Sequence, residues 1–242
     1  MRVCVVLPTY NEAENIVEVL GLVRSALPEA QTLVVDDNSP DGTADLAEKE
    51  GVAHGGVEVL RRPGKAGLGA AYRAGFEWAL TRDFEVLVEM DSDLSHDPRA
   101  LPALTRAVEE GADLAIGSRY VEGGMIPEWP LHRRLLSRWG NRYASGLLGL
   151  HVNDATAGFR AYRADLLRRI DLQAVRADGY GFQIEMTYAT RQAGGSIVEV
   201  PISFIDRVRG KSKMSGRIIV EALLLVTWWA LRDRVFRRGR RA

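Results

Sequence analysis

Short apolar runs alternate with segments of helical periodicity along the first half of the chain. Unbroken runs rich in β-branched residues predict buried strands, at residues 3–7, 57–62, 84–90 and 112–118 and at the start of 32–50. The segments between them predict helices, at residues 11–26, 68–82 and 98–110 and in the second part of 32–50. This alternation predicts an α/β fold, in which helices cover both faces of a Rossmann-like, mostly parallel sheet.

The first predicted helix carries its own start signal. Asn11 is followed three residues later by Glu14, which is the spacing of a capping box. We therefore expect this helix to begin at Asn11 and to run through Ala26.

Polar loops follow three of the predicted strands. Their sequences are PTYNE (8–12), DDNSPDG (36–42) and DSDLSHD (91–97). Because ligands bind beyond the carboxyl ends of the strands in such sheets, we expect the three loops to converge on one site.

The end of the chain has a different pattern. Ile219, Leu223, Val226 and Trp229 recur at helical spacing and predict an amphipathic helix. The apolar stretch from Ile218 to Leu231 contains only 14 residues, whereas spanning a bilayer takes about 20, so a transmembrane helix is not expected. Such a helix either packs on the rest of the protein or, with the six arginines of residues 232–242, attaches to an anionic membrane surface.

The charged residues are distributed unevenly along the chain. The 242 residues are 46% hydrophobic and have no formal net charge, which suits one sizeable domain with a C-terminal appendage. Residues 1–110 hold 10 basic and 20 acidic side chains, whereas residues 111–242 hold 22 and 12. The acidic front half argues against nucleic acid as a partner and favours an anionic small molecule or a membrane surface for the basic half.

Two further features concern the cellular compartment. Cys4 is the only cysteine, so no disulfide can form within the chain. The apolar stretch at the start is too short for a signal peptide, and we expect a cytoplasmic protein.

The segment VEMDSDLSHDP (88–98) gathers Glu89, Asp91, Asp93 and Asp97 at the end of a predicted strand. Asp91 and Asp93 are two positions apart where the pleating ends, so both can turn toward one Mg²⁺ or Mn²⁺ ion shared with a diphosphate. The alternative is that they are solvated loop acids. Asp97 precedes Pro98 and is interpreted as an ordinary helix cap.

Taken together, these loops and several later segments resemble the inverting family-2 glycosyltransferases of GT-A fold. Within them the chain is similar to the polyprenyl-phosphate mannosyltransferases of the dolichol-phosphate-mannose synthase type, over roughly residues 2–230. The segments that carry the resemblance are MDSDLSHDP, GSRYVEGG (117–124), WPLHRRLLSRWGN (129–141), DATAGFRAYR (154–163), GYGFQIEM (179–186) and VPISFIDRVRGKSKMS (200–215). It implies transfer of mannose from GDP-mannose to a polyprenyl phosphate, giving GDP and polyprenyl-phosphate-mannose.

The resemblance also implies roles for individual residues. The nucleotide-sugar site would consist of Pro8, Tyr10, Glu12, Val35, Asp37, Asp91, Ser92, Asp93, Arg207 and Lys213. Asp91 and Asp93 would hold the metal, with Ser95 standing where several relatives have a glutamine. Arg119, Arg133 and Ser137 would bind the acceptor phosphate, and Asp91, Asp93, Arg119 and Arg207 would form the catalytic set.

The basic residues of the second half of the chain receive different roles under this interpretation. Guanidinium groups bind phosphate oxygens bidentately, which suits arginine on the acceptor side. The segment 205–216 is polar and contains glycine, so it is interpreted as a lid over the donor. Arg134, Arg138 and Arg142 are interpreted as solvated, and the role of Glu185 is left open.

The expected organisation follows from these assignments. Residues 1–214 form a catalytic domain, with a nucleotide-sugar half at 1–118 and an acceptor half with the lid at 119–214, and residues 215–242 form the helix and basic tail. We expect peripheral attachment to the cytoplasmic face of the membrane. The alternatives are a nucleotidyltransferase, a UDP-glucose transferase and a non-catalytic nucleotide-sugar-binding module, whereas GKAGLG (64–69) lacks the glycine order of a dehydrogenase.

Overall fold

The computed structural model describes residues 1–206 and 222–232. Its strands are β1 (Val3–Thr9), β2 (Gln31–Asp36), β3 (Val57–Arg61), β4 (Val86–Glu89), β5 (Leu114–Ser118), β6 (Arg160–Arg163) and β7 (Ile197–Pro201). Its helices are α1 (Ile16–Ala26), α2 (Thr43–His54), α3 (Leu68–Leu80), α4 (Leu101–Glu109), α5 (Leu131–Leu148), α6 (Ala164–Arg169), α7 (Gly179–Gln192) and α8 (222–232), with a 3-10 turn at Pro98–Ala100 before α4.

The seven strands form one sheet in the order β3-β2-β1-β4-β6-β5-β7. All neighbouring pairs are parallel except those of β6, which runs antiparallel to both β4 and β5. The predicted α/β class and mostly parallel sheet are confirmed. The antiparallel insertion of β6 between β4 and β5 was not predicted.

Two hydrophobic clusters cover the two faces of the sheet. Side chains of β1 alternate between them, with Val5 and Leu7 on the side of α1 and α4, and Cys4 and Val6 on the side of α3, α5 and α7. On the second side α3 lies close to the sheet because Gly75 has no side chain, and a Cβ there would come within 2.5 Å of Val6 Cγ1. Apolar strands with both faces covered are what the sequence pattern predicts.

The first helix begins later than predicted, at Ile16 instead of Asn11. The backbone N–H groups of the preceding residues are bonded to side chains of the β2–α2 loop: that of Asn11 to Ser39, that of Glu12 to Thr43 and that of Ala13 to Asp41, each at 3.0 Å. Asn11 itself has a left-handed φ of 59°. The capping-box prediction is therefore wrong, because these donors bind another loop instead of starting a helix.

The C-terminal helix α8 packs on the domain with one side. Val226 and Trp229 are buried, and Trp229 stacks on Tyr188 of α7. Leu224, Trp228 and Leu231 on its other side are each more than half exposed. Across the described part of the chain, every helix is too short or too polar to cross a membrane.

Candidate active site

The loops after β1, β2 and β4 converge on one cavity of about 540 Å³ at the carboxyl ends of these strands. Residues 156–158, which lead into β6, the start of α7 and residues that follow β7 also line it. Most of the predicted site residues line the cavity: Pro8, Tyr10, Glu12, Asp37, Asp91, Ser92, Asp93, Ser95, Arg119 and Arg133. The convergence expected from the position of the three loops is therefore present.

The four acids of the 88–98 segment have three different environments. Asp91 and Asp93 line the cavity. Asp97 accepts a hydrogen bond from the backbone N–H of Arg99 at 3.0 Å and caps the 3-10 turn, as predicted. Glu89 is fully buried under the site, where burial raises the pKa of its carboxyl to about 7 against the opposing charge of Arg160.

Neutral groups hold the two cavity carboxylates in place. The Tyr72 hydroxyl donates to Asp91 Oδ1 at 3.1 Å. Asp93 Oδ1 accepts from both the backbone N–H and the hydroxyl of Ser95, at 3.0 and 2.5 Å. These donors orient the carboxylates without adding charge of their own.

This donor set fits a divalent cation that is shared with a substrate. Mg²⁺ in proteins is commonly held by one or two carboxylates together with phosphate oxygens and water, and the cavity offers Asp91 and Asp93 in this way. Over residues 1–206 and 222–232 there is no group of three or more His, Cys, Asp or Glu side chains that would hold a metal alone. Ser95 was also a predicted metal ligand. In the structure its hydroxyl donates a hydrogen bond to Asp93, the neighbouring predicted ligand.

The nucleotide-binding residues predicted in and after β1 and β2 have different environments. The Pro8 carbonyl accepts a hydrogen bond from the Ser92 hydroxyl at 2.9 Å and ties the first loop to the acidic loop. The Asp37 carboxylate accepts from Arg62 Nη1 at 2.5 Å, and burial raises its pKa despite this positive charge. Val35 is fully buried in β2 and is not among the residues that line the cavity.

A lysine that the sequence analysis did not single out also lines the cavity. Lys65 belongs to the glycine-bearing loop after β3, and its ammonium group lies 4.3 Å from the centre of the Tyr10 ring. The signal was present in the sequence, because this loop follows a strand whose carboxyl end lies at the same edge of the sheet.

The predicted acceptor arginines are paired with acids inside the protein. Arg119 is buried, and its Nε and Nη2 donate to the two oxygens of Asp154, each at 2.7 Å. The Arg119 charge lowers the pKa of Asp154, although burial alone would raise it. Arg133 donates from Nη1 to Asp206 at 3.0 Å and stacks on Trp129, with its guanidinium carbon 3.9 Å from the ring centre.

An apolar groove opens next to these arginines, between α5, α7 and α8. It has a volume of about 100 Å³ and is lined by apolar and aromatic side chains that include Trp139, Tyr143, Ile184, Leu223 and Val226. Ser137 lines this groove and is not among the residues of the large cavity. The groove and the cavity share five wall residues, Arg119, Trp129, Arg133, Thr156 and Tyr180.

Several other predicted residues lie elsewhere. Arg134, Arg138 and Arg142 are exposed on α5, as expected. Glu185 accepts backbone hydrogen bonds from Arg176 and Ala177 and so holds the loop before α7. The predicted Arg207 and Lys213, and most of the proposed lid at 205–216, lie outside the described residues, as does the tail at 233–242.

Comparisons with known proteins find similar chains over nearly the whole sequence. The model of the family described as "Glycosyl transferase family 2" matches residues 4–171. The undecaprenyl-phosphate mannosyltransferase of Micrococcus luteus is 53% identical over 97% of this chain and 96% of its own length. The polyprenol monophosphomannose synthase of Mycolicibacterium smegmatis is 52% identical over 98% of this chain and 89% of its own length.

A solved structure shares the fold at low sequence identity. Glucosyl-3-phosphoglycerate synthase from Mycobacterium tuberculosis, in complex with Mn²⁺, UDP-glucose and phosphoglyceric acid, superposes with a TM-score of 0.70. The match covers 95% of this chain and 79% of that one, with 19% sequence identity. At this identity the likeness shows the fold alone.

Proposed function

This chain belongs to glycosyl transferase family 2, and we propose that it transfers mannose from GDP-mannose to a polyprenyl phosphate, releasing GDP and polyprenyl-phosphate-mannose. The observation that carries the proposal is the junction of two unlike compartments. A cavity with paired carboxylates meets an apolar groove, and Arg119 and Arg133 line both. This combination suits a nucleotide-sugar donor on one side and a lipid phosphate on the other.

On the donor side, Asp91 and Asp93 would hold a Mg²⁺ or Mn²⁺ ion. When bound, the metal neutralises the diphosphate and stabilises the departing GDP. Pro8, Tyr10, Glu12 and Asp37 would contact the nucleoside. Ser92 would fix the donor loop through Pro8, and Arg207 and Lys213 would cover the diphosphate. Val35 is fully buried and does not line the cavity, so it is not among these nucleoside contacts.

On the acceptor side, the arginines would bind the phosphate of the lipid and the groove would bind the start of its hydrocarbon chain. Arg119, Arg133 and Ser137 would receive the phosphate, because charge-assisted hydrogen bonds to guanidinium groups are strong. The first carbons of the polyprenyl chain would lie in the groove beside Trp139 and Leu223.

The proposed reaction does not require a general base from the protein. In the reaction an oxygen of the acceptor phosphate forms a bond to the anomeric carbon of mannose, while the bond from that carbon to GDP breaks with inversion. A phosphate monoester has a second pKa of about 6, so its oxygens are largely ionised at neutral pH. Catalysis then consists of positioning the two substrates and stabilising charge.

We also propose peripheral attachment to the cytoplasmic face of the membrane, where the acceptor resides. The exposed leucines and tryptophans of α5 and α8 support this: Leu131, Leu135, Trp139, Leu224, Trp228 and Leu231. Arginines flank them on α5 and continue in residues 232–242. Apolar side chains with neighbouring basic charge are what an anionic bilayer surface attracts.

One assay tests donor, acceptor and reaction class together. The protein is incubated with radiolabelled GDP-mannose or UDP-glucose, a short polyprenyl phosphate and Mg²⁺ or Mn²⁺, and the label is followed into the organic phase. We expect transfer from GDP-mannose only. Transfer from UDP-glucose would favour the alternative donor, and tight GDP binding without any transfer would favour a non-catalytic module.

Attachment is tested by sedimentation with anionic liposomes at low and high salt. The double variant Leu131→Ser, Leu135→Ser and a chain truncated after Arg232 should each bind less than the full-length protein. The control is Val52→Ser, because Val52 is 90% exposed on α2, on the other side of the sheet. Equal sedimentation of all four proteins would contradict peripheral attachment through these elements.

A further inference from the structure

The side chain of Gln183 is buried in the wall of the cavity without a hydrogen-bond partner. It belongs to α7, is only 2% exposed and lines the cavity. Neither its amide nitrogen nor its carbonyl oxygen has a partner among the described residues. An unpaired buried amide is costly, and such a group in a ligand cavity indicates a bond that a ligand completes.

The backbone of Gln183 is already fixed by other contacts. Its carbonyl oxygen accepts hydrogen bonds from Arg160 Nη1 at 2.8 Å and from the Thr187 hydroxyl at 2.8 Å. The bond from Arg160 holds the first part of α7 against β6, and the bond from Thr187 lies within α7. The carboxamide is therefore presented from a rigid position, which is what recognition of a small ligand group requires.

Gly158 lines the cavity between Gln183 and the acidic loop. A Cβ built on Gly158 would lie 3.5 Å from Gln183 Nε2, 3.8 Å from His96 Cε1 and 3.9 Å from Asp91 Oδ2. One point in the cavity is thus within 4 Å of all three side chains. A donor whose diphosphate is held at Asp91 would place its sugar in this part of the cavity.

The chemistry of an amide fits a hydroxyl group better than a phosphate. A carboxamide both donates and accepts hydrogen bonds, as a hydroxyl group does, whereas phosphate oxygens accept only and are favoured by cations. We propose that Gln183 hydrogen-bonds a hydroxyl group of the donor sugar, and that the bare backbone of Gly158 leaves room for that sugar. This inference rests on the proposed function and names the residues that recognise its sugar.

A contact within the protein is the competing explanation for Gln183. The buried Glu89 lies next to it, and Gln183 is close enough to lower the pKa of that carboxyl. No bond of acceptable geometry joins the two side chains in the described structure. If holding Glu89 were the role of Gln183, its loss would lower the melting temperature and leave sugar recognition unchanged.

The test compares Gln183→Met with wild type. Methionine keeps the length of the side chain and removes both hydrogen-bonding atoms. Calorimetry in the presence of Mn²⁺ gives the affinities for GDP and for GDP-mannose, and the transfer assay gives KM and kcat. We expect the affinity for GDP to stay within about twofold and kcat/KM for GDP-mannose to fall about tenfold, the effect of one lost hydrogen bond.

Two further variants make this result specific. Gln192→Met makes the same change on the same helix at an exposed position and should behave as wild type. Gly158→Ala adds one methyl group in ordinary contact distance of its neighbours, so it should fold normally, keep GDP affinity and lose GDP-mannose affinity.

The outcomes separate this inference from the proposed function. Absence of transfer from GDP-mannose by the wild-type protein overturns the proposed function and this inference with it. Active wild type combined with equal losses of GDP and GDP-mannose affinity in Gln183→Met, or with no loss of either, overturns the inference alone. A lower melting temperature with unchanged GDP-mannose kinetics also overturns it and assigns Gln183 to Glu89.

Discussion

The acidic and the basic sides of the cavity differ in the groups that position their charged side chains. Asp91 and Asp93 are oriented by neutral groups, a tyrosine hydroxyl, a serine hydroxyl and a backbone N–H. Arg119 and Arg133 are each paired with a carboxylate, Asp154 and Asp206. Each arginine is thus positioned by an acid that balances part of its charge, whereas these donors orient the two carboxylates without adding charge.

The two arginines also differ from each other. Arg119 is only 6% exposed where it lines the cavity, and its partner Asp154 is fully buried. The Arg133–Asp206 pair is partly exposed, and Arg133 Nε has no partner within the described structure. Arg119 therefore supports the fold as well as the site, while Arg133 is better placed to bind a phosphate without loss of structure.

The largest effect is expected from breaking the buried pair. Asp154→Asn leaves the Arg119 charge buried without compensation, and we expect the free energy of unfolding to fall by about 3–5 kcal/mol in chemical denaturation. Asp165→Asn, in an exposed pair with Arg168, is the control and should change it by less than about 1 kcal/mol. Similar values for both would show that Arg119 does not depend on Asp154.

The pH dependence sharpens this prediction. The folded-state pKa of Asp154 lies below its ordinary value of 3.8, so the stabilisation by its charge is complete above that value. As the pH falls through the lowered pKa, wild type also loses the charge. The stability difference between wild type and Asp154→Asn should therefore narrow below about pH 4.

The next largest effect is expected at the acidic side. Asp91→Asn or Asp93→Asn removes a charged ligand of the proposed metal, and turnover should fall about a hundredfold or more while the melting temperature is retained. The control is Asp97→Asn, because Asp97 caps a turn outside the cavity. Near-normal turnover in both cavity variants would contradict the metal assignment.

A smaller effect is expected for Arg133→Ala. Loss of one charge-assisted contact should reduce the use of polyprenyl phosphate about tenfold and leave GDP affinity unchanged, as transfer assays and calorimetry in parallel would show. Arg134→Ala, the exposed neighbour on α5, should match wild type. If GDP affinity falls together with acceptor use, the division between the two sides is wrong.

The smallest effect concerns the neutral support of the acidic side. Tyr72→Phe removes the hydroxyl that donates to Asp91 and should weaken Mn²⁺ affinity about threefold to tenfold. Tyr143→Phe, whose hydroxyl bonds Thr227 in the groove, serves as the control in the same Mn²⁺ titration. Unchanged affinity for both would mean that Asp91 is oriented by other contacts.

Local patterns in the sequence predicted the main strands of the sheet and the loops that follow them. The strands β1, β2 and β4 could be located from apolar runs alone, and the loops after them do meet at one cavity. The capping function of Asp97 was also predictable, because it depends on residues within two positions. Such features are fixed by neighbours along the chain.

Features that depend on distant residues could not be predicted in this way. Asp154 is 35 positions from Arg119, and Asp206 is 73 positions from Arg133. The helix start signal at Asn11 failed because its N–H binds Ser39, 28 positions away. Gln183 stood in a segment that carried the family resemblance, but its unpaired amide is a property of the packed structure.

The small size of the apolar groove has a consequence for the length of the acceptor. Sites that enclose a drug-sized ligand have volumes of about 300–1,000 Å³, whereas this groove has about 100 Å³. Drawing a hydrocarbon out of a bilayer costs about 0.8 kcal/mol per methylene, so a long chain is best left where it is. We therefore expect the protein to contact the head of the lipid and its first carbons, so that polyprenyl phosphates of very different lengths should be equivalent substrates once they exceed the groove.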